Sequence, residues 1–327
     1  MKILLLKMFY KHTVILTLWS VLTIAQTKII ANFVMPHGGI ALAPTHFNST
    51  NSTAIAMAWK IHDACKQVGE EIARLEPDTV FLSTPHGISD LKNFVLYLNP
   101  TADGFADTDN CNCPPCCYSA SVSVDVALSQ EIMNVLGYQR NVSGLSAFGP
   151  PGQSDSPFPL RWGEVIPLHF IPGLNATKVV IVSQPSRRYT QVTDMIPELL
   201  QLGSSLYSIL ETSSKRIVVV ISADLAHTHD ASGPYGYSNA SEPFDEACGS
   251  WASSLESSDL LVKAASYVDK AMSCGFTGLV MLQGLMEAGN IKSWNPKLRV
   301  NYHPSYYGMM VASFDREYEK ASVKQNK

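Results

Sequence analysis

Three histidines in this chain follow short apolar runs that end abruptly. The run Ile29 to Met35 is closed by Pro36-His37-Gly38-Gly39, and the run Thr79 to Thr84 by Pro85-His86-Gly87. A third run, residues 217–221, leads into Ser222-Ala223-Asp224-Leu225-Ala226-His227. Imidazole is the commonest neutral metal ligand and the side chain best placed to move protons near neutral pH. Three histidines delivered to the ends of such runs suggest one site, and two of them in the same Pro-His-Gly setting suggest metal ligation there. The glycines let the backbone turn sharply and let a substrate come close.

Something must hold those histidines together. Runs rich in Val, Ile and Phe and closed by Pro or Gly read as buried strands. In open α/β sheets ligands gather at the carboxyl ends of strands. Residues 54–75 carry apolar side chains at helical spacing (Ile55, Ala58, Ile61, Ala64, Val68, Ile72) and stop before Pro77. That predicts a β-α-β unit with His37 and His86 at equivalent ends. Further strands are expected at 94–98, 165–170, 178–183, 216–221 and 307–314. Helices are expected at 124–136, 193–212, over most of 244–271, and at 275–288. Residues 103–117 and 149–159 read as loops. The alternation predicts a single α/β domain with a central mixed, largely parallel sheet flanked by helices.

The chain has 327 residues, 46% hydrophobic and 16% charged, with a net charge of −4. That is ample for a large core. No basic block is present, which argues against a nucleic-acid partner. Lys2, Lys7 and Lys11 precede an apolar stretch from Val14 to Ala25, which reads as a secretory signal peptide over 1–25, with the mature domain over 26–327. Asn-x-Ser/Thr sequons at Asn48, Asn51, Asn141, Asn175 and Asn239 fit a secreted glycoprotein. Cys111, Cys113, Cys116 and Cys117 crowd one loop, with Cys65 and Cys248 elsewhere; in an exported chain that pattern reads as disulfides. Seven cysteines leave one over, and Cys274 is the one expected to stay free.

Taken in order, these motifs resemble the class III extradiol ring-cleavage dioxygenases, the LigB-like catalytic subunits, and most closely the branch that includes the Memo proteins. The two Pro-His-Gly turns match the family's metal-histidine motifs. The segment from Ile221 to His227, followed by Gly233-Pro234-Tyr235-Gly236-Tyr237, resembles its Ser-Gly-Asp-Leu-Ser-His signature. Trp162-Gly163-Glu164, Ser273-Cys274-Gly275 and Tyr307-Gly308-Met309 match further blocks. The resemblance implies a non-haem Fe(II) enzyme that opens a catechol-type ring with O2. His37 and His86 would be metal ligands, His227 the acid/base, and Asp224 the group that orients His227. Relatives are often dimers or larger, so a homo-oligomer is implied.

Two positions depart from the family pattern. Dioxygenase members carry a glutamate just before Cys-Gly as third ligand; here that residue is Ser273. Memo proteins use the cysteine instead, so Cys274 is either a thiolate ligand or a buried inert thiol. A thiolate shifts the preference toward copper or zinc, and two histidines, a cysteine and a water would also make a zinc hydrolase site. Asp90, Asp224, Glu164 and Glu287 are the carboxylates that could replace the glutamate. The second departure is Trp162, where relatives place a substrate-facing histidine; His169 lies in an expected strand and His229 is expected to face solvent. Tyr302, Tyr306 and Tyr307 could line an aromatic pocket or pack in the core.

Overall fold

A computed structural model describes residues 28–316 except 109 and 154. The expected signal peptide at 1–25 lies outside the described residues. The chain runs β1 (Ile29–Met35), α1 (Gly39–Leu42), α2 (Ser52–Arg74), β2 (Thr79–Thr84), β3 (Phe94–Tyr97), β4 (Thr101–Ala106), β5 (Tyr118–Val124), α3 (Val126–Leu136), β6 (Val142–Leu145), β7 (Phe158–Leu160), α4 (Trp162–His169), β8 (Lys178–Ser183), α5 (Ile196–Thr212), β9 (Ile217–Ser222), α6 (Ser241–Ser254), a π-helical turn (Asp259–Ala264), α7 (Ala265–Ala271), α8 (Phe276–Ala288), β10 (Trp294–Tyr302) and β11 (Met309–Arg316).

One mixed sheet organises these elements, in the order β10-β11-β1-β9-β2-β8-β5-β4-β7, with β3 bridging β8 and β6. Its centre is parallel: β9 pairs with both β1 and β2, and β2 pairs with β8. Every residue of β1, β2 and β9 is buried, as a strand covered on both faces requires. The helices α5 and α8 pack one face, with Leu199, Leu206, Leu279 and Leu282 in that core. On the other face α2 and α4 bury Ile61, Val68, Val165 and Leu168. The expected single α/β domain is therefore observed. β1 and β2 are not neighbours, however; β9 inserts between them and brings the Asp224 and His227 segment between the two Pro-His-Gly turns.

Several expectations are corrected. The run 165–170 is helical, not a strand: α4 begins at Trp162, and Glu164 reaches back to accept from the Arg161 N–H at 2.9 Å. A short apolar run fits a buried helix as well as a strand, and that closure decides it. Residues 101–106 form β4, so the cysteine loop starts only at Asp107. Residues 244–271 are mainly helical, as expected, with an interruption at Leu255, which takes a left-handed conformation with φ 58°. Disulfides join Cys111 to Cys116 and Cys113 to Cys117, and three cysteines stay free, not one. Cys65 lies in α2 and Cys248 in α6, in cores on opposite faces of the sheet, so they cannot meet. Among the described residues, no helix is long and apolar enough to cross a membrane.

Candidate metal centre

The carboxyl ends of β1, β2 and β9 deliver His37, His86 and Asp224 to one place, and the turn before α8 adds Cys274. The ligand atoms of His37, His86 and Cys274 all lie within 4.8 Å of one another. Cys274 Sγ is 3.2 Å from His37 Nε2, and the two imidazole rings meet edge to face with centroids 4.8 Å apart.

Hydrogen bonds fix which nitrogen of His37 is available. Ser222 Oγ donates to the Gly163 carbonyl at 2.5 Å. Its single proton is thereby used, so at 2.9 Å it accepts from His37 Nδ1–H. Nε2 is left with its lone pair toward Cys274. A second partner that sets the tautomer in this way is the usual companion of a metal-ligating histidine. Asp224 grips the same residue: Oδ1 accepts the His37 backbone N–H at 2.9 Å, and Oδ2 lies 3.3 Å from Nε2.

Asp224 was expected to orient His227, and this is corrected. Its carboxylate lies on His37, while His227 Nδ1 bonds the Leu225 carbonyl at 3.0 Å. With Nδ1–H donated to that carbonyl, Nε2 is the basic nitrogen. Burial lowers the His227 pKa to about 4, and the Leu225 carbonyl only partly opposes this. Burial also lowers His86 to about 3, with the Arg188 charge adding to the effect, and holds His37 well below the ordinary value. All three imidazoles are therefore neutral near pH 7, the form that ligates metal or accepts a proton. Burial, then the Asp224 charge, pushes the Cys274 thiol strongly up, so ligation there must displace a proton.

The other candidates are placed as follows. Ser273 Oγ donates to the Asp224 carbonyl at 3.1 Å and is not in the ligand group. Glu164 is committed to Tyr97 OH at 2.7 Å and to the Arg161 N–H. Asp90 closes a turn through the Lys92 and Asn93 N–H groups, and Glu287 accepts from Gln283 on α8. His169 ends α4 and bonds the Ser119 carbonyl. His229 does not face solvent: its Nε2 bonds buried Asp245 at 2.8 Å.

A cavity of about 420 Å³ opens on the histidines. Trp162, 41% exposed, stands 5.0 Å from the His86 ring, and Tyr307 stacks at 6.0 Å from His227. Tyr306 and Tyr307 line this cavity; Tyr302 instead packs against the core on the α2 face. Asp107, Thr108 and Asn112 of the disulfide-tied loop form another wall. Sequence reasoning missed Ser222 and Arg188. Arg188 is buried after β8, its guanidinium 4.0 Å over the Tyr189 ring, beside a second cavity of about 200 Å³ that includes His86, His227 and Cys274. The signal for both was available, since each lies at or just beyond a strand end.

The family profile described as the catalytic LigB subunit of aromatic ring-opening dioxygenase matches residues 33–312. The chain belongs to the LigB family. A curated relative from Clostridium acetobutylicum, Protein CA_C1420, is 24% identical over 260 residues, covering 77% of this chain and 52% of that protein. The chain thus spans about half the length of the curated relative it matches. The crystal structure of uncharacterized protein JW3007 from Escherichia coli K12 superposes with a TM-score of 0.50 at 13% identity, covering 87% of this chain and 99% of that one. That likeness is one of fold. The donors that this LigB-family chain brings together are two neutral imidazoles and a thiol. Such a set fits a bound transition metal.

Proposed function

We propose that this protein is a non-haem oxidoreductase that opens a catechol-type aromatic ring with O2, using a metal held by His37, His86 and Cys274. The observation that carries the reading is the convergence of these three donors, two of which, His37 and His86, line a cavity walled by aromatic rings and by neutral His227. A ferrous ion, when bound, would supply the redox-active centre that pairs a catechol with O2.

The protein's own groups do the rest. Neutral His227 takes a phenolic proton at Nε2 and later returns it. Tyr307 and Trp162 flank the ring-sized space. Asp224 and Ser222 hold His37 in the ligating tautomer. Overall, the carbon–carbon bond beside the two hydroxyls breaks and both atoms of O2 enter the product.

One observation favours a second reading. With Ser273 turned to a backbone carbonyl and Cys274 Sγ 3.2 Å from His37 Nε2, the donor set suits copper or zinc as well as iron. A Memo-like metal-binding protein without ring cleavage follows from that. Oxygen uptake separates the two. Anaerobically purified protein loaded with Fe(II) should consume O2 only with a catechol present, and a His37→Ala control should not. Bound iron with no catechol-dependent uptake would sink the dioxygenase reading and leave metal binding.

Secretion belongs to the proposal too. It is supported by the exposure of Asn48, Asn51, Asn141, Asn175 and Asn239 and by the two disulfides. Deglycosylation of protein recovered from the medium of a secreting cell, followed by mass measurement, tests it.

A further inference from the structure

A second group of metal-type ligands lies outside the centre described above. His229 and His303 stack with ring centroids 3.9 Å apart and planes 3° from parallel. Glu242, in the first turn of α6, puts Oε2 3.0 Å from His303 Nε2 and 3.9 Å from His229 Nδ1. One ligand atom from each of the three lies within 4.8 Å of the others.

The tautomer of His229 gives this group its meaning. Behind it, buried Asp245 accepts the Ala226 N–H on Oδ1 at 2.9 Å and faces His229 Nε2 with Oδ2 at 2.8 Å. Gly308 packs so tightly on this carboxylate that a Cβ there would fall 2.0 Å from Oδ2. A carboxylate only accepts, so Nε2 carries the proton and Nδ1 presents a lone pair. That lone pair faces the Glu242 carboxylate. The two atoms stand 3.9 Å apart, a gap that a metal ion bound to both can bridge. A buried carboxylate behind an imidazole is also the arrangement that orients a metal-ligating histidine and raises its basicity. The His229 side chain is 4% exposed, against 60% for Glu242 and 39% for His303: one fixed inner ligand and two that solvent ions can reach.

We propose that His229, Glu242 and His303 form a second metal site, selective for a zinc-type divalent ion and independent of the His37 centre. Two imidazoles, a carboxylate and a water complete a tetrahedral zinc set. His303 tilts out of the stack to aim its nitrogen at the ion, a motion its exposure permits. The ligands come from three separate segments: the loop after β9, the start of α6, and the connection from β10 to β11. An ion there cross-links them. His227 lies two residues before His229, and Tyr306 three after His303, so the clamp steadies two walls of the main cavity.

Zinc alone, titrated into the chelator-stripped full chain, tests this through bound metal per chain and thermal melting. The wild type should bind about two zinc ions, and Glu242→Gln and His303→Ala about one each, with a smaller zinc-induced rise in Tm. Loss of an outer ligand should weaken the affected site by about tenfold or more. His37→Ala should also retain about one ion, and His37→Ala combined with Glu242→Gln essentially none. Both surface variants replace exposed side chains, and their metal-free Tm should match the wild type. Unchanged zinc stoichiometry and unchanged zinc-induced Tm shift in both would overturn the proposal. So would an equal shift with magnesium or calcium, which would mark a carboxylate site without imidazole selectivity.

Discussion

The two Pro-His-Gly turns are the same three residues in two different surroundings. His37 is 1% exposed, bonded through Nδ1 to Ser222 and pressed between Cys274 and Asp224. His86 is half-buried; its ring lies nearly perpendicular to that of His37 and tilted 33° from that of Trp162, and the ring makes no hydrogen bond among the described residues. The glycines differ too. A Cβ on Gly38 would fall 2.1 Å from the Tyr307 ring, and one on Gly87 2.2 Å from the Tyr97 hydroxyl and 2.5 Å from Glu164. The first turn faces the aromatic wall of the cavity; the second sits on a buried polar pair. A repeated motif thus yields one anchored donor and one open donor, and the difference comes from the elements packed against each.

The largest test of that contrast is His37→Ala against His86→Ala. His37→Ala should abolish metal binding at this centre and also lower Tm, because it empties a fully packed buried position and removes the Nδ1–H bond to Ser222. His86→Ala should weaken metal binding by about tenfold or more while leaving Tm nearly unchanged. Equal Tm losses would erase the distinction. Next comes Ser222→Ala, which frees the His37 tautomer without touching a ligand. Metal affinity should fall by about 10–100-fold, as read by competition with a chelator. Cys274→Ser should shift metal preference away from copper and zinc by comparison with the wild type.

Smaller effects concern the turns and the protons. Gly38→Ala and Gly87→Ala should each cost about 1–3 kcal/mol through overpacking, measured by denaturant unfolding. His86 and His227 have folded pKa values of about 3 and about 4 against an ordinary 6.5. Between those values the unfolded chain binds more protons, so stability should rise with pH across this window and be lost as pH falls from 6.5 toward 4. His227→Ala should flatten the slope, and a metal-free melting series across pH reads it. Last, Trp162→His restores the ring type the family places there and should alter KM for a catechol more than metal content.

The histidine turns were legible because each sits at the end of a fully apolar run, and such runs announce buried parallel strands. The polar elements were not. β4 contains Asp103 and Gly104 and is half exposed, so most of it read as loop, and the edge strand β10 carries Asn295, Pro296 and Lys297 and offered no strand signal. Long-range pairing was equally silent. No local spacing says that Asp224 will hold a backbone N–H 187 residues away, or that α6 will bring Asp245 under His229. Cys274 could be singled out, but its approach to His37 depends on β9 and α8 together.

The insertion of β9 between β1 and β2 has a consequence for the order of assembly. His37 and His86 are made early in synthesis, yet the strands that carry them touch only through a strand completed at Ser222. Parallel pairings across such sequence distances form late. A nascent chain that stops short of β9 therefore holds its two histidines apart, and metal capture at this centre becomes a signal that the sheet has closed.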